Sequence, residues 1–520
     1  MIHRLERFAM RITSRVSPAV IAAFALLIFG QTANAQGVLW ETYRDAGVAQ
    51  YRAGHYPEAE KLLRTALQDA EAYNPSGGRV AKTLNDLALV YEAQGRYAEA
   101  EPLYIRALQM MQQLRGPDDS ETATVLSNLA SFLSRFGKLE EAEALLNRAV
   151  SDVETQLGPN HYKTSIVLNN LAGVYSELNK FDQAENLYKR SLAIAEATFG
   201  PLHPEVASRL SNLAVMYTEL GRFEEADALY RRALPIREAQ GQDHPDTSQI
   251  INNIAFLYFQ MGNYDRAEQL FKQSLTVWER VLGPEHADVG TNHKNLADLY
   301  LETGRYDLAE QEFKRTQQIW EKSLGMEHPY ISVLLQDFAN LYFKQGKYDL
   351  VEPMLTRALI IIEKIKGPER AEMAPPLKAL ADLKRAQGKD DEAKLHYARA
   401  LAIREKLATT TPNDRKALND LAWIQATCPD EQFRDAKKAF ENANKAYQLD
   451  GGKRCSDYNT LAAAYAENRA WDQAKEWATK ALERAKSGKA KRLIPERLKL
   501  YEQQKPFRDE GTELQAQNAL

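Results

Sequence analysis

Five of the nine histidines in this chain share one register, each three residues after a glycine: His161, His203, His244, His286 and His328. A metal ladder is the chemistry such a row suggests. Each zinc–nitrogen bond spans about 2.0 Å, whereas packed helices lie about 8 to 10 Å apart, so histidines one interval apart are not expected to share an ion. With Pro204, Pro245 and Pro329 beside three of them, the register suits turn formation ahead of a helix. Two cysteines, Cys428 and Cys455, are too few for a disulfide framework or a multi-cysteine zinc site. No G-x-S-x-G elbow, P-loop, H-E-x-x-H or dinucleotide fingerprint is present. Acidic pairs are plentiful but have no special spacing, as on solvated faces. Catalytic residues, metal ligands and cofactors are therefore all assigned as none.

The elements that carry these residues repeat. An apolar residue followed by Ala recurs at Leu87, Leu129, Leu171, Leu213, Ile254, Leu296, Phe338 and Leu380, in steps of 42 residues with a single step of 41. Four residues on stands a large side chain (Tyr91, Leu133, Tyr175, Tyr217, Tyr258, Tyr300, Tyr342), and eight on a glycine (Gly95, Gly137, Gly221, Gly262, Gly304, Gly346, Gly388), with Asn179 substituting once. The second half of each unit reads Ala100, Tyr104, Ala107, then Ala142, Leu146, Ala149, then Ala184, Tyr188, Ser191. Spacings of three, four and seven are helical, so each unit is predicted to be two antiparallel helices joined at the glycine. Small residues allow close approach and large ones fill the gaps.

The basic side chains Arg4, Arg7, Arg11 and Arg15, the apolar run from Ala19 to Phe29 and the small residues Ala33, Asn34 and Ala35 follow the order of a secretory signal peptide cleaved after Ala35. That run is shorter than the roughly 20 residues of a membrane span, and no later run is long enough. The expected location is periplasmic or secreted; the alternative is a chain anchored in a membrane by an uncleaved leader. With 67 basic against 71 acidic residues and a formal net charge of −4, the chain lacks the cationic excess of a general nucleic-acid binder.

Units such as Leu168 to Pro204 resemble the tetratricopeptide repeat, in its longer form similar to the repeats of kinesin light chains. The resemblance is good over residues 80 to 400. It implies an all-α superhelical solenoid of about eleven helix pairs, each burying its apolar face on its neighbours. The expected layout is a leader at 1–35, the repeat solenoid at 36–408, two divergent repeat-like units at 409–486, and a capping helix with tail at 487–520. That helix is expected to start near Pro495, a favoured first-turn residue.

One residue before the anchor stand Asn128, Asn170, Asn212, Asn253 and Asn295, with Asp86 and Asp337 at the ends of the series. Asn is a mediocre helix former. The family resemblance places this position on the concave face, where a ladder of amides would either bind the backbone of an extended peptide or bond the adjacent unit and set its pitch. The resemblance also places Phe256, Phe259, Leu301 and Phe343 toward that groove, where most units carry small or polar groups. Together these nine residues are the expected contact set for a partner.

The expected function is thus a non-catalytic, exported scaffold binding a partner protein or extended peptide in its concave groove, without nucleic acid. Two alternatives stand beside it. One is an enzyme or glycan-processing accessory with a site near Trp423, Trp471 and Trp477 of the divergent units. The other is a structural repeat protein that self-associates through its terminal units. Two further expectations are that Cys428 and Cys455 remain unbridged, and that the helix containing Pro235 bends or ends early, changing the superhelical pitch nearby.

Overall fold

A computed structural model describes residues 33–116, 119–135, 138–239, 241 and 245–509. The chain divides into two compact bodies, one running up to Val174 and one from Tyr175 onward apart from Ser323–Gly325. In the first body lie α1 (Ala33–Arg52), α2 (Tyr56–Tyr73), α3 (Gly78–Ala93), α4 (Tyr97–Arg115), α5 (Ser120–Arg135), α6 (Leu139–Leu157) and most of α7 (Tyr162–Glu177). The second holds α8 (Phe181–Phe199), α9 (Pro204–Glu219), α10 (Phe223–Glu238), α11 (Pro245–Gln260), α12 (Tyr264–Leu282), α13 (Ala287–Glu302), α14 (Tyr306–Ser323) except its last residue, α15 (Pro329–Lys344) and α16 (Tyr348–Lys366). It continues with α17 (Ala374–Ala386), α18 (Asp390–Thr410), α19 (Arg415–Thr427), α20 (Ala436–Asp450), α21 (Cys455–Glu467), α22 (Trp471–Arg484) and α23 (Gly488–Glu502). Among the described residues the architecture is eleven helix pairs and a last single helix, as the repeat pattern predicts.

Local chemistry accounts for the helix ends. His161, His203, His286 and His328 each accept a backbone N–H at Nδ1 from two residues ahead, at 3.1 to 3.2 Å, and so cap the first helix of a unit. His244 lies outside the described residues. The turn between the two helices needs a left-handed backbone. Asn179 adopts φ 59° and Arg469 φ 61° at the position where most units use glycine, a conformation that Asn tolerates better than most residues.

Small and large residues alternate in the core as the sequence predicts. Ala100, Tyr104, Ala107, Ala142, Leu146 and Ala149 are wholly buried. A buried Leu contributes about 1.5–3 kcal/mol relative to exposure, offset in part by the entropy of ordering the chain. The large residue four after the anchor does more than fill space. Tyr217 donates its hydroxyl to Glu185 at 2.8 Å, Arg222 bonds the same carboxylate at 2.6 Å, and its guanidinium lies 4.0 Å from the Tyr217 ring centre. Tyr300, Glu268 and Arg305 repeat the arrangement. Each such clamp joins the second helix of one unit to the turn of the next.

Two expectations concern particular residues. α10, which contains Pro235, has 16 residues where α8 and α12 have 19. Pro495 does not open the last helix. α23 begins at Gly488, with Ser487 Oγ accepting from the Ala490 N–H at 3.0 Å, so that Pro495 falls inside it. The expected leader lies outside the described residues except for Ala33 to Ala35, which open α1. No helix among the described residues is long and apolar enough to cross a membrane.

Candidate functional site

Within each body the first helices of successive units lie side by side, and at several of them the residue before the anchor bridges to the neighbouring unit. In the first body, Arg44 Nε donates to Asp86 at 2.7 Å and Asn128 Nδ2 to Asn85 Oδ1 at 2.9 Å. In the second, Asn253 Nδ2 donates to Ser211 at 3.3 Å, Asn295 Nδ2 to Asn252 at 3.2 Å, and Lys294 pairs with Asp337 at 3.5 Å. Each bond spans one repeat. Asn170 on α7 and Asn212 on α9 are half-buried at the same register. The physical reason for Asn inside these helices is therefore visible: a short amide reaches the helix before it and fixes the approach of the two units. Of the two roles weighed for these side chains, this is the one the geometry displays.

The four large apolar groups do not form one exposed patch. Phe256 is 39% exposed, whereas Leu301 is only 9% exposed and must be withdrawn as a free contact. Its neighbour Glu302 receives Arg492 of α23 at 2.7 Å, so the last helix reaches this end of α13. Phe259 and Phe343 are half-buried and lean on the tyrosines that open the next helices, at 5.9 Å from Tyr264 and 5.4 Å from Tyr348.

Phe256 faces a cavity of about 830 Å³ within the second body. One wall is built by α8, α9 and α11 through Phe181, Glu219, Phe256 and Gln260; the other comes from α19 and the segments around α21 and α22, through Arg415, Asn419, Arg454 and Arg484. The walls are also tied together. Lys453 Nζ lies 2.7 Å from Asp182, 271 residues away in sequence, and the Arg454 guanidinium is 4.5 Å from the Phe181 ring centre. Added Cβ atoms report how close the walls come: one on Gly488 would lie 2.7 Å from the Gly262 Cα.

Seven basic and five acidic side chains line the cavity. Several are paired within the walls: Arg222 with Glu185, and Lys416 with Asp420, which also holds Arg404. Arg415 bonds the buried Asp457. Burial pushes the Glu219 carboxyl above its usual range despite the nearby Arg454. Arg484 stacks over Tyr458, 4.4 Å from the ring centre. The arrangement can receive an apolar side chain at Phe256 beside a net cationic rim. No cluster of possible metal ligands occurs among the described residues.

Sequence reasoning missed the cationic side of this site. Part of the signal was present as a charge run, since Arg484 and Lys486, which line the cavity, begin a short stretch that continues with Lys489, Lys491 and Arg492. What it lacked was the target, because the acidic residues they meet are scattered over units far upstream. The tryptophans of the divergent units are core groups here: Trp423 is 1% exposed, and Trp477 packs among Tyr447, Tyr458 and Tyr465. The two thiols are unbridged and separately packed. Cys455 donates to the Ala481 carbonyl at 3.2 Å, and burial pushes the two up to about 11 at Cys428 and about 12 at Cys455.

The tetratricopeptide-repeat profile matches residues 79–154, 121–197, 180–239, 246–322, 293–359 and 330–406. Among solved structures, BtubC (BKLC) from P. vanneervenii is 25% identical with a TM-score of 0.35, over 45% of this chain and 92% of that one. A putative kinesin light chain with nearly identical TPR-like repeats from Podosopora anserina is 22% identical with a TM-score of 0.33, over 39% of this chain and 98% of the other. The human IFIT1 dimer with PPP-AAAA is 17% identical with a TM-score of 0.44, over 90% and 94%. No curated protein sequence matches. Since the matched windows run nearly unbroken through more than half of the sequence, in phase with the helix pairs described above, the chain belongs to the tetratricopeptide-repeat family.

Proposed function

We propose that this protein is an exported, non-catalytic scaffold that holds a partner protein or extended peptide against the first-helix face of its second body, with Phe256 as the main apolar contact. The observation that carries the reading is the cavity of about 830 Å³ into which Phe256 is exposed. Large apolar groups left exposed in a polar surround mark binding sites, and a few desolvated aromatics carry most of an interface's energy. The excess of basic over acidic side chains in the lining favours a partner segment with acidic residues beside its apolar anchor. Export to the periplasm or outside the cell is the reading that the order of Arg4 to Arg15, the apolar run and Ala35 supports.

Capture of a stoichiometric partner from the native envelope fraction tests the reading. Phe256→Ala should weaken that partner's binding by at least ~1 kcal/mol and leave the melting temperature nearly unchanged. Undiminished binding rejects the role of Phe256, and recovery of the chain alone as its own partner favours a self-assembling protein. N-terminal sequencing of the captured protein should begin at Gln36; a retained Arg-rich segment rejects cleavage.

A further inference from the structure

Beyond Glu502 the chain stops being helical and enters the groove of its own repeats. Gln504 takes φ 56° to turn the backbone, and residues 505–509 then run without helix or strand across the first helices of the divergent units. Three consecutive side chains are held there. The Phe507 ring sits 5.8 Å from the ring of Trp423, and the Arg497 guanidinium lies 4.8 Å from Trp423 and 4.6 Å from Phe507. Arg508 pairs with Glu467 at 2.7 Å and donates to the Ala426 carbonyl at 3.2 Å. Asp509 accepts from Trp423 Nε1 at 2.9 Å, lies 3.4 Å from Lys378 Nζ, and donates its backbone N–H to the Thr427 carbonyl at 2.9 Å.

Phe507 packs against the buried clusters that contain Trp423 and Tyr501, while Arg508 and Asp509 are held through polar contacts, as a bound peptide would be. An extended segment is read by one ring slot, one acidic and one basic side chain, and backbone carbonyls at the end of α19. Asp509 is only 7% exposed. Its removal would leave the Trp423 indole N–H and part of the Lys378 charge facing an empty groove, and buried polar groups without partners are costly. Whatever replaces the tail must restore the same donors and acceptors. We propose that the groove over α17, α19 and α21 is a second binding site, separate from the Phe256 cavity, for an extended partner segment of the order aromatic–basic–acidic. Phe507, Arg508 and Asp509 are its resident occupant. Because the tail is tethered, its effective concentration is in the millimolar range, so a partner must match its contacts or gain from a second attachment to displace it.

The carboxylate chemistry agrees with this assignment. Burial works against a charged Asp509, yet Lys378, the Trp423 N–H and Arg497 hold its carboxyl below the usual range. Lys378 stays above its own usual range through Asp382 and Asp509, against the burial that opposes its charge. The site is thus set to receive an ionised acid.

A labelled peptide with the sequence of residues 503–509 serves as the probe, titrated into the full-length chain and into a full-length Phe507→Ala, Asp509→Ala double variant. Anisotropy should show the variant binding at least tenfold more tightly than wild type, with a scrambled peptide not binding, and added Lys378→Met should remove the gain. A folded variant that ignores the peptide, or takes the scrambled one equally well, overturns the proposal. Should the double variant lose its helical signal, hydrogen exchange on the wild-type chain decides. Excess probe must speed exchange in the chain's own tail, and an unchanged rate overturns the assignment as well.

Discussion

Glu268 shows how a single carboxylate couples two units. It accepts from Tyr300 at 3.0 Å, Arg305 at 2.7 Å and Lys272 at 2.7 Å. Burial alone would raise its pKa, but these three bonds outweigh burial and bring it down to about 2 from the ordinary 4.5. Glu185, bound by Arg222, Lys189 and Tyr217, is brought to about 2 in the same way. The sign follows directly: a carboxyl lowered in the fold contributes stability that is fully present above pH 4.5 and is lost as pH falls toward 2. Glu268→Gln should therefore lower stability at pH 7 by up to about 1 kcal/mol, the scale of a partly exposed ion pair. Urea midpoints should show the gap between variant and wild type closing at acid pH. A gap that stays constant from neutral to pH ~3 contradicts the clamp. Tyr217 and Tyr300 stood out in the sequence as large groups, but their bond to a carboxylate one unit back was not legible. Such a partner lies at a separation of 32 residues on a different helix, and periodicity within a unit cannot single it out.

Helix pairing was the most legible feature, because each repeat reads out its own turn glycine, capping histidine and small contact residues locally. The close contacts between helices were less so. Gly290 inside α13 has no special backbone conformation; it is there for room. A Cβ at that position would lie 2.6 Å from Trp320, whose indole N–H is held at 3.0 Å by the Ala287 carbonyl and is not free to move away. Gly290→Ala should gain about 1 kcal/mol in helix propensity yet destabilise overall, since overpacking a filled core costs about 1–3 kcal/mol. A raised melting temperature would show that Trp320 can shift. The short α10 was foreseen from Pro235, but proline alone does not explain it, because α4 and α16 keep 19 residues with Pro102 and Pro353 inside them. Those prolines sit early in their helices, whereas Pro235 sits in the last turn and the stretch after it is one residue shorter.

At the largest scale the second body contains what no single repeat encodes. Its last helix meets the turn at Gly262, and Lys453, Lys486 and Arg492 reach Asp182, Glu224 and Glu302. This contact arises from small rotations accumulated over several units, which is why the sequence showed the repeats and not the return of the chain onto itself. Gly488→Leu should open the contact, since even one added carbon would fall 2.7 Å from Gly262. Faster hydrogen exchange in α23, with the internal bonds of α9 and α11 unaffected, is the expected result. Exchange rates unchanged along α23 would mean that the two sides tolerate separation.

That return contact also alters how the molecule comes apart. In an open array each unit leans only on its neighbours, so units can melt one after another from either end. Where a late unit is fastened to an early one, losing any member of the circuit also strains the fastening, and the units between them share a common fate. The nascent chain meets the reverse of this: the early units must wait, incompletely supported, until the last helix has been synthesised and long-range pairing, slow by its nature, can close the loop.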